Sequence, residues 1–594
     1  MGLSFAGTKP EKGQLARFVV SSLAGFAMMA PALAKSPPDA GLLLKQQEQL
    51  QIRLPDSQQQ PEAPEPARPS PEDDTGITVR VQSIHFNGAL DMVPEAQLQE
   101  LVRGVIGDEL DFAGLQELTI RVSNYLRDNG HLLARAYLTP QDVTEGHLEI
   151  TLQKGRLAGA PGKGGGWQIN TAPGVRIDAA RLQDIVESAA PSGSSATQND
   201  LERALLLIND LPGVTAHATL GPGVASGTSK LTVEASEGPL FGVMLQGDNF
   251  GNQSTGKAQT SAQVNLNDFS GQGDHAGLLL TESAGISLGR LSYDLPLGSQ
   301  GLRGAINYLD MRYKVVEGLG VASKLAGTSQ IIDLDLTYPF IRSRTQNLAG
   351  RLGIARKSIS DNSAAGSLDD KLINVISVQL SGNVLPGLTG NRQISGGIAI
   401  SAGRLDLGAD PANQAADAAS LHTQGDYLKA SYQLTAQQNL GSKVTLAGRV
   451  SGQVAGKNLD SSEKFILGGP NGVRAYPAAE APGDEGWLAS LEIRYDLPGA
   501  THWGDVRLFS FIDTGGITLH KDAGNMAIGT YTGRNRFNLA GAGLGATLSR
   551  AENYSVNIVW AFPWGNNPGR SSAGLNTDGR QDASRFWLQA SVGL

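Results

Sequence analysis

The chain has 594 residues, a net charge of −9, 75 glycines and no cysteine. That length holds several domains or one very large barrel, and the glycine content suits tight turns and packed β-structure rather than a helical bundle. Disulfides and thiolate metal sites are excluded, the eight histidines show no metal-ligand spacing, and the acidic balance gives no basic footprint for nucleic acid.

Lys9, Lys12 and Arg17 precede an apolar run from Phe18 to Ala30, followed by Ala32-Leu33-Ala34. This is the pattern of a signal peptide over residues 1–34, with an A-x-A cleavage site. The run falls short of the ~20 apolar residues of a membrane-spanning helix, and no later segment approaches that length. An exported chain of this kind enters a membrane only as a closed barrel. Within residues 35–54, Asp39 caps a helix predicted from about Ala40 to Arg53, with Leu43, Leu44, Gln47, Leu50 and Leu54 along one side. Its other side is rich in glutamine and lysine, so it can occupy a wet pore without sealing to it. Residues 55–76, rich in Pro, Gln and Glu, read as an extended linker.

Two β-α-α-β-β units follow, an internal repeat over residues 77–159 and 160–238. In the first, Ile77–Gly88 alternates as a strand, Pro94–Ile106 and Phe112–Asp128 are helical, and His131–Leu138 and His147–Gln153 complete a sheet. In the second, Trp167–Asn170 opens, Asp178–Ser188 and Gln198–Asp210 are helical, and Val214–Leu220 and Ser229–Ala235 close. The run LERALLLINDLPGVTAHATL resembles the second periplasmic POTRA module of two-partner secretion transporters, the TpsB family, and SNYLRDNGHLLARAYLTPQ resembles the first. Such modules recognise clients at sheet edges, a use of β-augmentation.

From 239 to 594 the pattern changes to period two. Leu491, Ile493, Tyr495 and Leu497 alternate with Ser490, Glu492, Arg494 and Asp496. Ile332, Leu334, Leu336 and Tyr338 interleave with Asp333, Asp335 and Thr337. Charges on the alternate face do not fit a dry sandwich; they fit lipid outside and a wet lumen inside. About sixteen such segments of roughly spanning length predict a transmembrane antiparallel β-barrel. Short turns, as at Asp268–Gly273 and Arg342–Thr345, alternate with longer connections, including Val315–Gly327, Ser360–Asp370, Arg404–Thr423 and Ala455–Asp484. That alternation matches periplasmic turns and surface loops.

The longest of these loops carries Val473, Arg474, Ala475, Tyr476 and Pro477. A long loop is costly to order, and an arginine within it makes sense if it reaches a fixed acidic or aromatic partner. The segment resembles the VRGY/F signature of TpsB transporters, relatives of the BamA insertases, with Ala475 where glycine is usual. Phe511, Asp513 and Gly515, in FSFIDTGG, resemble the family's second signature. Phe511 and Asp513 are two apart and share one face of a predicted strand. The resemblance implies that the loop tucks into the pore, with Arg474 pairing with Asp513 and stacking near Phe511. It also implies a removable plug at the N-terminal helix. The partner would be a secreted exoprotein with an N-terminal secretion domain, exported from the periplasm of a Gram-negative cell through its outer membrane and its lipid. GDNFG at 247–251, GQGD at 271–274, YDLPLG at 293–298 and YPFIRSR at 338–344 match further family landmarks in order.

Two motifs elsewhere mislead. Gly251–Lys257 reads GNQSTGK, but Ala258 stands where a phosphate-binding loop needs Ser or Thr, and a strand rather than a helix follows. Gly541, Gly543 and Gly545 alternate within a predicted strand, where they suit close packing rather than a dinucleotide. No Ser/His/Asp arrangement, metal cluster or cofactor motif stands out, so the expectation is a transporter rather than an enzyme. The rival readings are a barrel-assembly insertase and a passive porin; the repeated module and the loop carrying Arg474 count against the porin, and the number of modules and the N-terminal helix count against the insertase.

Overall fold

The computed structural model describes residues 39–50 and 78–594, apart from 161–162, 226, 319, 387–389, 500–501, 526–527 and 551–552. The signal peptide expected at 1–34 and the linker expected at 55–76 lie outside the described residues.

In the first module, Ser83–Gly88 runs parallel to His147–Gln153, which pairs antiparallel with Arg135–Leu138. Helices Glu95–Val102 and Phe112–Asp128 bury Leu98, Val102, Leu118, Val122 and Leu126 in one core with Ile84, Leu148 and Ile150. Three boundaries differ from the sequence reading. Val79–Arg80 turns away from the expected first strand to pair with Glu109–Leu110. The first helix tightens into a 3-10 turn at Arg103–Val105, before Gly107 takes a φ of 101° that a helix cannot continue through. The strand expected from His131 starts only at Arg135, because the backbone N–H of His131 still donates to Leu126 O at the end of the preceding helix.

The second module places Thr228–Glu237 at its centre, parallel to Trp167–Thr171 and antiparallel to Val214–Pro222. Its helices, Ala179–Ala189 and Gln198–Asn209, start where their caps dictate. Asp178 accepts from the N–H of Ala180, and Thr197 and Asp200 form a reciprocal capping box. Five arginines join this module to the barrel's near end. Arg176 donates to Asp268 O and Asn267 O at 3.1 and 3.3 Å, and Arg181 to Pro296 O and Gly298 O at 3.1 and 2.8 Å. Arg203 reaches Gln300 O at 3.2 Å, while Arg342 and Arg344 on the barrel side pair with Asp210 and Glu202.

Sixteen antiparallel strands close in chain order into a barrel. Leu334, Ile354, Val378, Ile400, Leu434 and Ile493 are exposed on its outer wall, as the period-two pattern requires. Charges on the inner wall pair with one another, Arg351 with Asp335 and Arg303 with Asp294 among them. One expected surface loop is absent. Strands Gln346–Ser363 and Gly366–Val384 run to within a tight turn of each other, so most of Ser360–Asp370 is strand. The polar residues that read as a loop belong to the ends of strands of 18 and 19 residues, longer than the ~9–11 residues a tilted strand needs to span a bilayer. The barrel closes where its first strand, Phe241–Asp248, meets its last, Arg585–Gly593, over only five residue pairs, Met244↔Gly593 to Asp248↔Gln589.

Candidate functional site in the barrel lumen

Strands Val444–Ala455 and Glu485–Asp496 are neighbours, and the 456–484 segment between them folds back against inward-facing side chains. A two-residue ladder, Phe465–Ile466 with Pro482–Gly483, forms its neck. Beyond the neck the chain turns on itself: the N–H of Val473 donates to Leu467 O at 2.8 Å and that of Tyr476 to Val473 O at 3.1 Å. Ala479 and Ala481 hold left-handed φ values of 59° and 53°, uncommon for alanine. Val473, Ala475, Tyr476 and Pro477 are all buried. Ala475 is not among the left-handed residues, so the turn needs no glycine there. Its methyl lies over Gly541, where an added Cβ would come within 2.4 Å of it.

Arg474 is held by the barrel wall from three sides. Its Nε and Nη2 donate to the two oxygens of Asp513 at 2.8 and 2.7 Å, a bidentate pair, and its backbone N–H donates to Asp513 Oδ2 at 3.1 Å. Nη1 reaches Glu492 at 2.6 Å, and Nη2 also reaches Ser490 Oγ at 3.0 Å. Ser490 Oγ itself donates to Asp513 at 2.7 Å, and Arg494 donates to the far oxygen of Glu492 at 2.9 Å. Two guanidinium groups thus face two carboxylates in a neutral cluster, with Asp513 fully buried. The guanidinium carbon lies 3.4 Å from the ring centroid of Phe511, within cation–π range.

Glycines make this approach possible. A Cβ at Gly543 would lie 2.5 Å from Cζ of Phe511, and one at Gly515 would lie 2.5 Å from Leu467 Cδ1 in the loop. Several contacts were not readable from the sequence motifs. Ser490 and Glu492 enter because they stand opposite Asp513 and Phe511 in register. Trp587, on the last strand, donates from Nε1 to Arg474 O at 2.7 Å and packs edge-on against Phe250 with ring centroids 5.8 Å apart. Glu480 in the loop accepts from Asn567 Nδ2 at 2.8 Å and from the N–H of Thr577 at 2.6 Å, which ties the loop to the last surface loop.

A second element lies in the same lumen. Helix Ala40–Gln49 is shorter than the sequence reading, with Leu50 as its cap and the N–H of Leu42 donating to Asp39 at 2.8 Å. The expectation that it sits in a wet pore without sealing to it is corrected. Leu43 and Leu44 are fully buried in an inward-facing apolar patch that includes Ile286, Met311, Tyr313, Ile359 and Ile373. Its polar side is engaged as well. Glu48 lies 2.9 Å from Lys45 and 3.6 Å from Lys357, and Lys357 and Lys429 converge on the buried Glu463 at 2.8 and 2.6 Å. Gln46 donates to Phe250 O at 3.1 Å, and Asn471 in the loop donates to Gln49 O at 2.7 Å. The helix and the loop thus lie together in the lumen, joined by ion pairs, a hydrogen bond and apolar packing.

A sixteen-stranded outer-membrane barrel, its module arm in the periplasm and its lumen occupied by its own segments, is the architecture of a polypeptide transporter. The chain belongs to the haemolysin secretion/activation protein family ShlB/FhaC/HecB, whose model matches residues 227–548; residues 79–155 match the POTRA domain of ShlB type. It is therefore an outer-membrane transporter of two-partner secretion, exporting a partner exoprotein to the cell surface. Among similar proteins, the heme/hemopexin transporter protein HuxB of Haemophilus influenzae is 25% identical over 95% of this chain and 96% of its own. The outer membrane transporter CdiB of Escherichia coli is 26% identical over 90% of this chain and 89% of its own. The solved structure of CdiB from Escherichia coli covers all of both chains with a TM-score of 0.63 at 20% identity. BamA from Haemophilus ducreyi, solved without its first three POTRA domains, covers 87% of this chain and all of its own with a TM-score of 0.51 at 14% identity, a likeness of fold.

Proposed function

We propose that this transporter rests closed, with its lumen blocked by two separable elements, the helix Ala40–Gln49 and the loop 456–484, and that export requires both to move. The client would be one exoprotein, or a small set, bearing an N-terminal secretion domain. It would engage the periplasmic modules over 77–159 and 160–238 in extended form, pass along the barrel of 239–594, and fold outside. Folding at the surface supplies the direction of transport, and the protein does no catalysis and binds no nucleic acid. In this reading residues 1–34 are removed on export, the helix is the plug of 35–54, and the linker of 55–76 lets it leave and return. Val473, Arg474, Ala475, Tyr476 and Pro477 are the pore-loop signature, and Phe511, Asp513 and Gly515 are its receiver on the wall.

The observation that carries the proposal is the seating of the helix. Burying Leu43 and Leu44 stabilises it by about 1.5–3 kcal/mol each, while a single long ion pair, Glu48–Lys357 at 3.6 Å, joins its polar side to the wall. That is strong enough to close a pore and weak enough to release. The test is to delete residues 40–53 and record single channels in planar bilayers. The expected result is a heat-modifiable, inserted barrel that opens more often and to a larger conductance. Wild-type conductance after the deletion would refute the plug.

A further inference from the structure

Strand Arg536–Arg550 begins and ends on an arginine, and both are exposed. They alternate with Phe537 and Leu539, which are buried in the lumen cluster that holds Tyr476, and they share a face with Leu544, which is exposed on the outer wall. Both arginines therefore point away from the lumen. A strand of 15 residues climbs roughly 35 Å along the barrel axis, at ~3.4 Å per residue and a tilt of about 40°. The apolar band of an outer-membrane barrel is only about 25 Å tall, so the two arginines stand outside it, Arg550 at a periplasmic turn and Arg536 on the cell-surface side. Arg534, two residues earlier, is exposed as well, and neither Arg534 nor Arg536 has a side-chain partner among the described residues. The acid in the same row as Arg536 is Glu485, across Thr518, and Lys521 already takes it at 2.6 Å.

Aromatic rings mark the membrane level independently. Trp487 is exposed on the outer wall in register with Gly516 and Asn538. Its indole nitrogen and Asn538 Oδ1 close over Gly516, where an added Cβ would come within 2.6 and 2.8 Å of them. Phe562, Trp560 and Phe586 continue the exposed row toward the seam, stepping along the register as a level line does on tilted strands. Such rings sit where hydrocarbon meets headgroups. Arg536 lies beyond Asn538 in the same strand, roughly 5–10 Å outward of this girdle. One headgroup layer is about 5–8 Å deep, so the unpaired guanidinium groups stand at the level of lipid phosphates, which an arginine fork meets with two parallel N–H···O bonds. We propose that Arg534 and Arg536 bind a phosphate of an outer-leaflet glycolipid, with the Trp487 ring beneath it at the acyl boundary. The neighbouring strands carry Ser490, Glu492, Phe511 and Asp513 on their inner faces, so a lipid held outside braces the wall that receives the pore loop.

The test uses the full mature chain in detergent at ~0.15 M ionic strength, where diffuse surface attraction is screened, with native mass spectrometry as the readout. The probes are lipid A carrying both phosphates, the same lipid dephosphorylated, and inorganic phosphate alone. The expected result is binding of phosphorylated lipid A that weakens at least tenfold on dephosphorylation and at least tenfold in the double variant Arg534→Gln/Arg536→Gln. Arg550→Gln, on the same face of the same strand but across the membrane, should bind as wild type does. Both variants should keep wild-type heat modifiability, which separates lost binding from lost folding. Equal binding of the two lipids, wild-type binding by the double variant, or an equal loss in Arg550→Gln would overturn the proposal. Inorganic phosphate that competes at micromolar concentration would overturn the assignment to lipid.

Discussion

Arg474 and Asp513 are the pair on which docking of the pore loop can be measured. Arg474→Ala strands the fully buried Asp513, which keeps only the hydroxyl of Ser490 and the backbone N–H at 474. Breaking a buried pair by removing one partner costs about 3–5 kcal/mol, and a partly wet lumen argues for the lower end. At about 3 kcal/mol the docked loop loses roughly two decades in population. Asp513→Asn should cost less, about 1–2 kcal/mol, because Arg474 keeps Glu492 at 2.6 Å and its place against Phe511. The double substitution leaves no charge stranded, since Glu492 retains Arg494 at 2.8 Å. Its cost should therefore fall short of the sum of the two singles by about 1–2 kcal/mol. Amide hydrogen exchange across residues 465–484 reports the docking free energy directly. Arg474→Lys should rescue poorly, because an ammonium lacks the planar fork that meets both oxygens of Asp513. Export of the partner should fall with docking while the amount of barrel in the membrane stays constant. Strictly additive single effects, or unchanged exchange in Arg474→Ala, would refute the pairing as the loop's anchor.

Lys357→Met removes the cation shared by Glu48 of the helix and Glu463 of the loop, while Lys429 still holds Glu463 at 2.6 Å. Channel opening should rise to a level between wild type and the helix deletion, and unchanged recordings would leave the leucines as the whole latch. Removing residues 78–153, which spares the Arg156–Leu157 strand of the second module, should abolish export while the barrel still assembles, because the first module's sheet edges are lost to the client; secretion assays and heat modifiability separate the two. At the barrel's near end, burial and then the neighbouring Glu237 push the Asp268 carboxyl up to about 6, and its Oδ2 has no other partner. A raised carboxyl pKa favours the docked module while Asp268 is protonated, so docking is strongest below about pH 4, weakens as pH rises through about 6, and is level above that. With the intrinsic pH dependence of amide exchange divided out, the protection of the 268–274 turn should be lower at pH 7.5 than at pH 5, and Asp268→Asn should flatten that difference in protection.

The barrel was legible because two solvents write a simple pattern. Lipid outside and water inside force Leu491, Ile493 and Tyr495 to alternate with Ser490, Glu492 and Arg494, and the structure exposes the first set on the outer wall. The helices of the second module read almost residue by residue because Asp178 and Thr197 are strong caps, but its short strand Arg156–Leu157, before the expected boundary at 160, was not legible. Where one solvent is missing, the pattern fails. Ser360–Asp370 stands beyond the lipid, so both faces of its strands are polar and it reads as a loop. The face shared by Phe511 and Asp513 followed from a spacing of two, but Ser490 and Glu492 depend on the register between strands, which alternation within one strand cannot fix. Trp587 lies 113 residues from Arg474 in the chain, and nothing local in the sequence marks their contact.

The contact that was hardest to read connects the two closing elements. Gln46 of the helix holds the carbonyl of Phe250, Trp587 holds the carbonyl of Arg474, and the rings of Phe250 and Trp587 pack together. Phe250 follows the first barrel strand and Trp587 lies on the last, so this aromatic pair straddles the seam where the wall is joined by five residue pairs. The loop has an anchor of its own in Asp513 and Glu492, while Lys357 on the wall is held in common by Glu48 of the helix and Glu463 of the loop. They also share an anchor at the seam. Withdrawal of the helix removes a hydrogen bond from the same aromatic pair that holds the loop, and gives the order of events a physical basis: the element tethered by the linker leaves first, and the loop it leaves behind rests on one fewer support.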